Sequence, residues 1–386
     1  MGDSYEERVA RIYDALNHKE PDVVPSLACM GTFTIGFNNC TVEQVENDWQ
    51  LSVENFLNTQ KDLYADAVYT AGVVFDSKFA KAIGSPAHFV SADKETIQHH
   101  QQIPMAADEY DKLIADPEGF MMNVLLPRTA KRLSGAYPEK KKAILEFMSH
   151  LNDKLAEWTT IGQRLKEEYN RPIMAPVVNA YPPLDFIFDY FRGFEGTAVD
   201  MRRQPEKLVE ACEAVLPFMW KNMGIPDDAT RVPEFPPFAT MFHIPTFLSP
   251  KQFEKFFLPT YQKMVDRIYE CGGKMIMFLE GTWDNKAEWL NSLPKDFAFG
   301  ICEADDIFKM KKLVGDNICI VGGMPLDKLK YGTVQENVDY AKYLVDELAP
   351  GGGYIFSSSR ELLTKTDVNW ENYKAAYKTV HEYGKK

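Results

Sequence analysis

The sequence has no CxxC pair, no long apolar run and no cluster of basic residues. Its six cysteines are scattered along the chain: Cys29, Cys40, Cys212, Cys271, Cys302 and Cys319. Without paired spacing they do not indicate a disulfide framework, and we expect free thiols in a reducing cytoplasm. No stretch of about 18 apolar residues occurs, which excludes a membrane-spanning helix. No signal-like segment follows the charged N-terminus, so we expect a cytoplasmic protein without a membrane partner.

The chain also has fewer basic than acidic residues. The formal net charge is −13, with 43 Lys and Arg against 56 Asp and Glu. Binding to nucleic acid requires clustered cations that neutralise phosphates, so we expect no nucleic-acid partner. The 386 residues are 45% hydrophobic and 13% aromatic. A chain of this length and composition can bury a large core, which excludes a disordered protein.

Short apolar runs that end in Gly, Pro or polar residues alternate with amphipathic stretches along the chain. This alternation is typical of repeated βα units. Eight such units predict a closed (β/α)8 TIM barrel in the α/β class, because closure leaves no sheet edge exposed. The predicted strands lie near residues 22–28, 66–75, 172–179, 236–243, 274–280, 297–303, 318–323 and 353–358.

The chain is predicted to be a single barrel domain over residues 1–386. Residues 104–170 are polar, helical in pattern and too long for a loop, so they predict a helical insertion near one barrel mouth. Three helix starts carry capping residues. Thr41 is followed by Gln44, Ser249 by Pro250 and Gln252, and Thr333 by Glu336.

In a parallel barrel the chemistry lies where strands end and the following loops begin. The residues that follow the predicted strands are therefore the site candidates. They are Met30, Tyr69, Asn179, Tyr181, His243, Glu280, Glu303, Met324 and Arg360.

Several segments resemble the uroporphyrinogen decarboxylase superfamily. The segment LSPKQFEKFFLPTYQKMVDRIYECGGKMIMFLEGTWDN is similar to the family's SP..F.EF..P segment and the strand that follows it. ICEADD, ICIVGGMPLDKLKYGTVQENV and GGGYIFSSS resemble later strands and loops of the family. RIYDALNHKEPDVVP resembles the opening common in its methyltransferase branch, and ACEAVL fits a family helix. The resemblance covers nearly the whole chain and implies a barrel fold.

Departures from the family argue against the decarboxylase activity itself. The family's MRQAGRY segment, whose arginines hold propionates, corresponds here to residues 30–36, which contain no arginine. The aspartate that faces the pyrrole nitrogens is replaced within Thr70, Ala71 and Gly72. The late GHG histidine segment is replaced by residues 357–360. A substrate with eight carboxylates is implausible without these groups.

The thiol-methylating branch binds zinc through a His-x-Cys pair and a late cysteine, because a thiolate nucleophile needs a Lewis acid. In this sequence the three positions of the His-x-Cys motif are Phe278, Leu279 and Glu280, and the position of the late cysteine falls near Ser359 or Arg360. Some methyltransferases of the family bind zinc through an acidic residue and two distant cysteines. Glu280, Cys302 and Cys319 match those residue types in order but not in spacing, and they are the metal candidates.

The remaining resemblance is to methyltransferase I of anaerobic O-demethylases. It implies transfer of a methyl group from a methoxylated, aromatic ether to the cob(I)alamin of a partner corrinoid protein. Since no DxHxxG-type motif occurs, the cobalamin is expected on the partner. Methylcobamide:thiol or methylcobamide:folate methyltransferase is the main alternative, followed by a decarboxylase and a non-catalytic corrinoid-protein binding barrel. The sequence leaves the methyl donor, a bound zinc and a homodimer open.

Transfer from an ether needs a proton for the departing oxygen. Glu280 is the first candidate because burial beside Phe278 would raise its pKa, and His243 is the second. The structural alternatives are an ion pair between Glu280 and Arg360, and a buried histidine satisfied by backbone.

Aromatic and polar side chains at the strand ends would form the substrate pocket. The predicted aromatic lining is Tyr69, Phe75, Tyr181, Phe238 and Trp283, with Met324, although core packing explains each residue equally well. Arg360 would hold a substrate carboxylate or neutralise Glu303. The predicted substrate-binding residues are Met30, Tyr69, Asn179, Tyr181, Trp283, Glu303, Met324 and Arg360.

Overall fold

The computed structural model describes residues 3–72, 76–176, 180–226, 228 and 230–385. Its strands are β1 (Ser26–Ala28), β2 (Ala67–Val68), β3 (His88–Val90), β4 (Ile97–His99), β5 (Phe238–Met241), β6 (Met275–Leu279), β7 (Ala298–Cys302), β8 (Cys319–Met324) and β9 (Tyr354–Ser358). Seven of them form a curled parallel sheet in the order β2-β1-β9-β8-β7-β6-β5, and β3 and β4 form a separate antiparallel hairpin. The architecture is α/β and TIM-barrel-like.

Helices connect and cover these strands. The α-helices are α1 (Tyr5–Leu16), α2 (Phe33–Phe37), α3 (Val42–Asn47), α4 (Trp49–Asn58), α5 (Ser77–Ile83), α6 (Tyr110–Ala115), α7 (Pro117–Phe120), α8 (Leu126–Thr129), α9 (Tyr137–Tyr169), α10 (Pro183–Ile187), α11 (Gly193–Arg203), α12 (Pro205–Met223), α13 (Pro250–Gln252), α14 (Leu258–Glu270), α15 (Ala287–Ser292), α16 (Ile307–Val314), α17 (Leu326–Tyr331), α18 (Val334–Leu348) and α19 (Trp370–Tyr383). Short π-helical turns span Met121–Leu125, Phe188–Arg192 and Phe253–Phe257. Turns of 3₁₀ helix span Ala107–Glu109, Lys131–Ser134, Ile244–Phe247 and Asp284–Lys286.

Seven of the eight predicted strands are confirmed. The eighth, near 172–179, pairs with β2 through a bridge between Val68 and Ile173. Backbone hydrogen bonds also join Met174 N to Val68 O at 2.9 Å and, at the far edge of the sheet, Ala180 N to Ala239 O at 2.9 Å. Asn179 and Phe75 lie outside the described residues, and complete closure of an eight-stranded barrel stays a prediction.

Alternate residues of the strands belong to two different hydrophobic clusters. The first contains Leu27, Tyr69, Phe278, Ile301 and other strand residues together with part of α1, and it fills the space that the curled sheet encloses. The second contains the intervening strand residues together with most of the helices. Because side chains point to opposite faces with a period of two, this division identifies which residues face the interior of the sheet.

All three predicted helix starts are capped as expected. Thr41, Ser249 and Thr333 each form a capping box with the residue three positions later. This reciprocal pairing satisfies two orphan backbone donors at the helix start. The caps therefore determine where each of these helices begins.

Residues 107–169 consist mainly of helices, ending in the long helix α9. Helix α9 packs against α4 and α5 and returns the chain to the segment paired with β2. Its placement near a barrel mouth stays a prediction. Among the described helices, none is both long enough and apolar enough to cross a lipid bilayer.

Candidate active site

His243 is held in one orientation at the carboxyl end of β5. Met241 packs against the interior cluster, so alternation directs His243 to the same face. Its Nδ1 lies 2.7 Å from Oδ2 of Asp189. Within the described chain, no protein group hydrogen-bonds its Nε2. An imidazole that donates from Nδ1 to a carboxylate is left with Nε2 free for a substrate.

The environment of His243 favours the imidazolium. Burial opposes the charged form, but the hydrogen bond and negative charge of Asp189 outweigh it. The charges of Asp185 and Glu280 act in the same direction, and together they raise the pKa of His243 to about 9. His243 is therefore protonated at neutral pH and has one N–H available for donation.

Asp185 and Asp189 were missed by the sequence analysis. They lie one helical turn apart where α10 continues into the π-helical turn. Asp189 accepts a hydrogen bond from the Tyr181 hydroxyl as well as from His243. The fully buried Asp185 accepts from Ile244 N at 2.7 Å, and burial raises the pKa of its carboxyl to about 8 although the charge of His243 acts against this. The i, i+4 spacing of the two aspartates was the available signal.

Glu280 follows β6 on the interior face. Phe278 belongs to the interior cluster and Leu279 to the outer one, so alternation directs Glu280 inward. Burial raises the pKa of its carboxyl, the charge of His243 lowers it, and the charges of Glu303 and Asp189 raise it, with a net upward shift. In the described part of the chain its carboxyl makes no hydrogen bond and no ion pair with Arg360. The carboxyl is thus free to meet a substrate.

Glu303 stabilises the loop after β6. Its Oε2 accepts a hydrogen bond from Gly281 N at 2.8 Å. The next residues of the loop are tied to Asp305, which accepts from Trp283 N at 2.8 Å. Arg360 is exposed and forms no ion pair among the described residues, so neutralisation of Glu303 is not its role. The loop geometry, rather than a substrate, accounts for the observed contacts of Glu303.

Three other predicted substrate-binding residues point away from the interior. Met30 and Met324 belong to the outer cluster, where they are 3% and 0% exposed. Trp283 is fully buried and packs against Phe242, with ring centroids 4.6 Å apart. The physical reason is the two-residue period of the strands, which places every second residue against the helices. The structure therefore does not bring these three residues to the interior face.

Tyr181 and Tyr69 lie on different sides of the site. Tyr181 is half-buried beside His243, with its hydroxyl 3.4 Å from Nδ1. Tyr69 belongs to the interior cluster and lies next to Phe278, with ring centroids 6.1 Å apart. Phe238 belongs to the outer cluster, so it packs against helices. Two of the predicted aromatic residues thus remain as lining candidates.

The three metal candidates are not brought together. Glu280 faces inward, whereas Cys302 belongs to the outer cluster. Cys319 opens β8 beside Phe299, three residues before the position that pairs with Cys302, which corresponds to about 10 Å along a strand. Burial raises the pKa of both thiols, which disfavours the thiolate ligand. Among the described residues there is no group of three or more His, Cys, Asp or Glu with metal-site geometry, so these side chains do not fit a zinc ion.

An open apolar groove borders the site on the His243 side. It has a volume of about 550 Å³ and includes Ile244 and Phe247 of the turn that follows His243. Phe194 and Phe247 are 47% and 61% exposed and stack edge to face, with ring centroids 5.0 Å apart. The turn carrying His243 therefore has an exposed apolar surface directly beside it.

Gly281 is required by the shape of this loop. Its φ is +72°, and a Cβ there would lie 1.9 Å from Oγ1 of Thr246. We expect Gly281→Ala to lower the free energy of unfolding by about 3 kcal/mol, because the left-handed conformation and the steric overlap both cost energy. Urea denaturation would measure the change.

The matched control is Gly351→Ala. Gly351 has φ +79° but no atom within 4 Å of the added Cβ. This control should lose only the conformational part, about 1 kcal/mol. Equal losses for the two variants would contradict the close approach of Thr246.

Comparison with known proteins supports the family resemblance over part of the chain. Residues 238–383 match the family model described as uroporphyrinogen decarboxylase (URO-D). The predicted resemblance to the uroporphyrinogen decarboxylase superfamily is confirmed. His243, Glu280, Glu303, Met324 and Arg360 all lie inside the matched segment. No curated protein sequence is significantly similar to the chain.

The likeness in fold to a solved structure extends beyond that segment. A solved structure, a methyltransferase from Methanosarcina mazei, superposes with a TM-score of 0.59 over 97% of this chain and 98% of its own. The two sequences are 14% identical. At that identity the similarity establishes the fold alone, and the shared fold includes the N-terminal strands and helices.

Proposed function

We propose that the protein transfers a methyl group from a methoxylated aromatic substrate to cob(I)alamin carried by a partner corrinoid protein. The observation that carries the proposal is His243, a protonated imidazole on the interior face of the sheet whose Nε2 has no hydrogen-bond partner among the described residues. A solved neighbour of the same fold is a methyltransferase, which supports this reaction class. The absence of arginines from residues 30–36 argues against decarboxylation of a polycarboxylate.

The proposed step is a displacement at the methyl carbon. The bond between carbon and the ether oxygen breaks, and its electron pair stays on the oxygen. The carbon forms its new bond with the electron pair of Co(I), which is thereby oxidised to Co(III). The ether oxygen takes the proton from Nε2 of His243, and the aromatic part of the substrate leaves as a phenol. His243 is then reprotonated from solvent.

The pKa of His243 suits this proton transfer. A phenolic leaving group has a conjugate-acid pKa near 10, as in the side chain of tyrosine. An acid with a pKa of about 9 is well matched to that oxygen and is still protonated at neutral pH. Glu280 is the second donor candidate, because burial favours its protonated form but the charge of His243 acts against it.

The corrinoid acts in this proposal as a second substrate, delivered by the partner protein. The zinc chemistry of the thiol-methylating alternative has less support, because Glu280, Cys302 and Cys319 do not form a common ligand set. A methylcobamide:folate methyltransferase would have little need for an acid beside its methyl donor. In this mechanism the side chains of this chain bind and protonate the methyl donor, and no step depends on a bound zinc ion.

A single assay tests the proposal. The purified protein, incubated anaerobically with anisole and free cob(I)alamin, is expected to convert Co(I) to methylcobalamin, which is followed by absorbance. Phenol should form in equal amount, measured by chromatography. Heat-denatured protein provides the control for the uncatalysed reaction.

The same protein preparation should form no coproporphyrinogen when it is incubated with uroporphyrinogen. Decarboxylation needs several charge-assisted contacts to carboxylates, each contributing about 1.5 to 3 kcal/mol. Catalytic formation of coproporphyrinogen, together with no methyl transfer from any aryl methyl ether, would overturn the proposed function.

A further inference from the structure

Three side chains lie near one another where β1, β2 and β9 end. The backbone N of Tyr69 bonds Ala28 O at 2.8 Å, so Tyr69 lies beside Cys29. The N of Leu362 bonds Cys29 O at 3.0 Å, which carries Glu361 over the end of β1. Leu362 belongs to the outer cluster, so alternation directs Glu361 inward. Glu361 was not among the residues selected from the sequence.

Two of these groups, the buried Tyr69 hydroxyl and the half-buried Glu361 carboxyl, make no hydrogen bond within the described chain. Tyr69 is 2% exposed, and within the described chain its hydroxyl has no hydrogen-bond partner. The Glu361 carboxyl likewise makes no hydrogen bond to any described residue. It lies directly over Gly31, where an added Cβ would be 3.0 Å from the carboxyl carbon. Because buried polar groups are almost always paired, the unpaired hydroxyl of Tyr69, which has the Glu361 carboxyl near it, indicates a missing ligand.

Cys29 is the third side chain of this group, and it does not compete for the ligand. We call the group of Cys29, Tyr69 and Glu361 the corner. Its Sγ lies 3.6 Å from Oγ of Ser357. Burial raises the pKa of the Cys29 thiol to about 12, so the sulfur stays neutral. A neutral thiol is a weak donor and acceptor. The corner therefore provides one strong donor, the Tyr69 hydroxyl, and one carboxyl.

We propose that Tyr69 and Glu361 bind a hydroxyl group of the methyl donor. The Tyr69 hydroxyl donates to the oxygen of the ligand, and the ligand hydroxyl donates to the Glu361 carboxylate. Burial raises the pKa of the Glu361 carboxyl to about 7, so about half of the molecules carry the accepting carboxylate at pH 7 and most of them carry it at pH 8. This inference rests on the proposed function and narrows its substrates to methoxylated phenols.

The strand order decides where on the donor this hydroxyl lies. Ile173 pairs with β2 and Ala180 hydrogen-bonds to β5, so the sheet curls round and places β1 and β9 about half a turn away from β5 and β6, which carry His243 and Glu280. A donor that meets both groups must have its ether and its hydroxyl on opposite sides. 4-Methoxyphenol has this arrangement, and anisole is the same molecule without the hydroxyl.

The test compares kcat/KM for 4-methoxyphenol and anisole. The wild-type protein is expected to prefer 4-methoxyphenol about tenfold or more, because a hydroxyl that satisfies buried groups is strongly favoured. Tyr69→Phe and Glu361→Gln should each bring the ratio toward one. A ratio near one in the wild type, or an unchanged ratio in both variants, overturns the proposal.

Tyr261→Phe is the matched control for Tyr69→Phe. Tyr261 is also fully buried with a hydroxyl that has no partner in the described chain, but it lies on α14 in the outer cluster. The control should keep the wild-type ratio. Both Tyr→Phe variants should melt at or above the wild-type temperature, since each removes an unpaired hydroxyl. A lowered melting temperature for Tyr69→Phe alone would indicate a structural role and count against the subsite.

Calorimetric titration with 4-methoxyphenol separates this proposal from the proposed function. Binding by the wild type that weakens about tenfold in Tyr69→Phe supports the subsite even when no methyl transfer is detected. Equal binding by both proteins overturns the subsite even when anisole is demethylated. The methyl-transfer assay with anisole reports only on the proposed function.

Discussion

The His243→Gln variant is expected to transfer methyl groups from anisole to cob(I)alamin about 10² to 10⁴ times more slowly than the wild type. Gln retains a hydrogen-bonding side chain of similar reach but has no acidic proton to give to the departing oxygen. The structure explains why the loss should be large, because Asp189 holds Nδ1 at 2.7 Å and leaves Nε2 as the proton donor. The measurement is kcat from the rate of methylcobalamin formation at saturating anisole.

Two further variants serve as the control and as the test of the alternative proton donor. His99→Gln changes an exposed histidine of the hairpin and should leave kcat unchanged. Glu280→Gln tests the other donor candidate. A loss below tenfold in His243→Gln, combined with a larger loss in Glu280→Gln, would assign the proton to Glu280. The melting temperatures of all three variants show whether the fold is intact.

The second large effect concerns Asp189 and pH. With an acid of pKa about 9, the wild-type kcat should stay level through neutral pH and fall tenfold per unit once the pH exceeds about 9, where His243 loses its proton. Asp189→Asn removes the negative charge that raises this pKa and weakens the hydrogen bond, because an amide oxygen is a weaker acceptor than a carboxylate. We expect burial, which opposes the charged form, then to offset the remaining charges of Asp185 and Glu280 and to lower the pKa of His243 toward its ordinary value near 6.5.

The falling limb of the Asp189→Asn profile should therefore move from about pH 9 toward the neutral range. At pH 8 the variant should be more than tenfold slower than the wild type, and the loss should shrink as the pH is lowered. The double variant His243→Gln/Asp189→Asn should lose no more than His243→Gln alone, since the two side chains act as a unit. If kcat of the Asp189→Asn variant still began to fall only near pH 9, Asp189 would not control the protonation of His243.

Much of the candidate site follows from the ends of the predicted strands. β6, β7, β8 and β9 end within one residue of their predicted positions, because each buried run stops at a polar residue, a Gly or a Pro. This is how His243 and Glu280 could be selected before their surroundings were known. The same procedure also selected Met30 and Met324, which belong to the outer cluster. Because side chains alternate between the two faces of a strand, counting every second residue from Phe278 or Ile301 would have separated the interior residues from those of the outer cluster.

Other features of the site have no such local signal. Asp185 and Asp189 lie on a helical segment and reach His243 across 58 and 54 positions of sequence. Glu361 follows a run of polar residues after β9, and its position over Gly31 depends on the pairing of Leu362 with Cys29. The hairpin of β3 and β4 was also missed, since both of its strands are short and partly exposed.

The sequence by itself determined the alternation of strands and helices, the capped helix starts and the polar residues at the strand ends, because each depends on neighbours within a few positions. Only the tertiary structure decided which of those residues share a face, which carboxylates surround His243 and which buried groups remain unpaired. The physical reason is that the pKa of a side chain and the pairing of a buried hydroxyl depend on distances of a few ångströms between groups far apart in the chain. Chain folding brings Asp189 to His243 and Glu361 to Tyr69, and no local pattern encodes those distances.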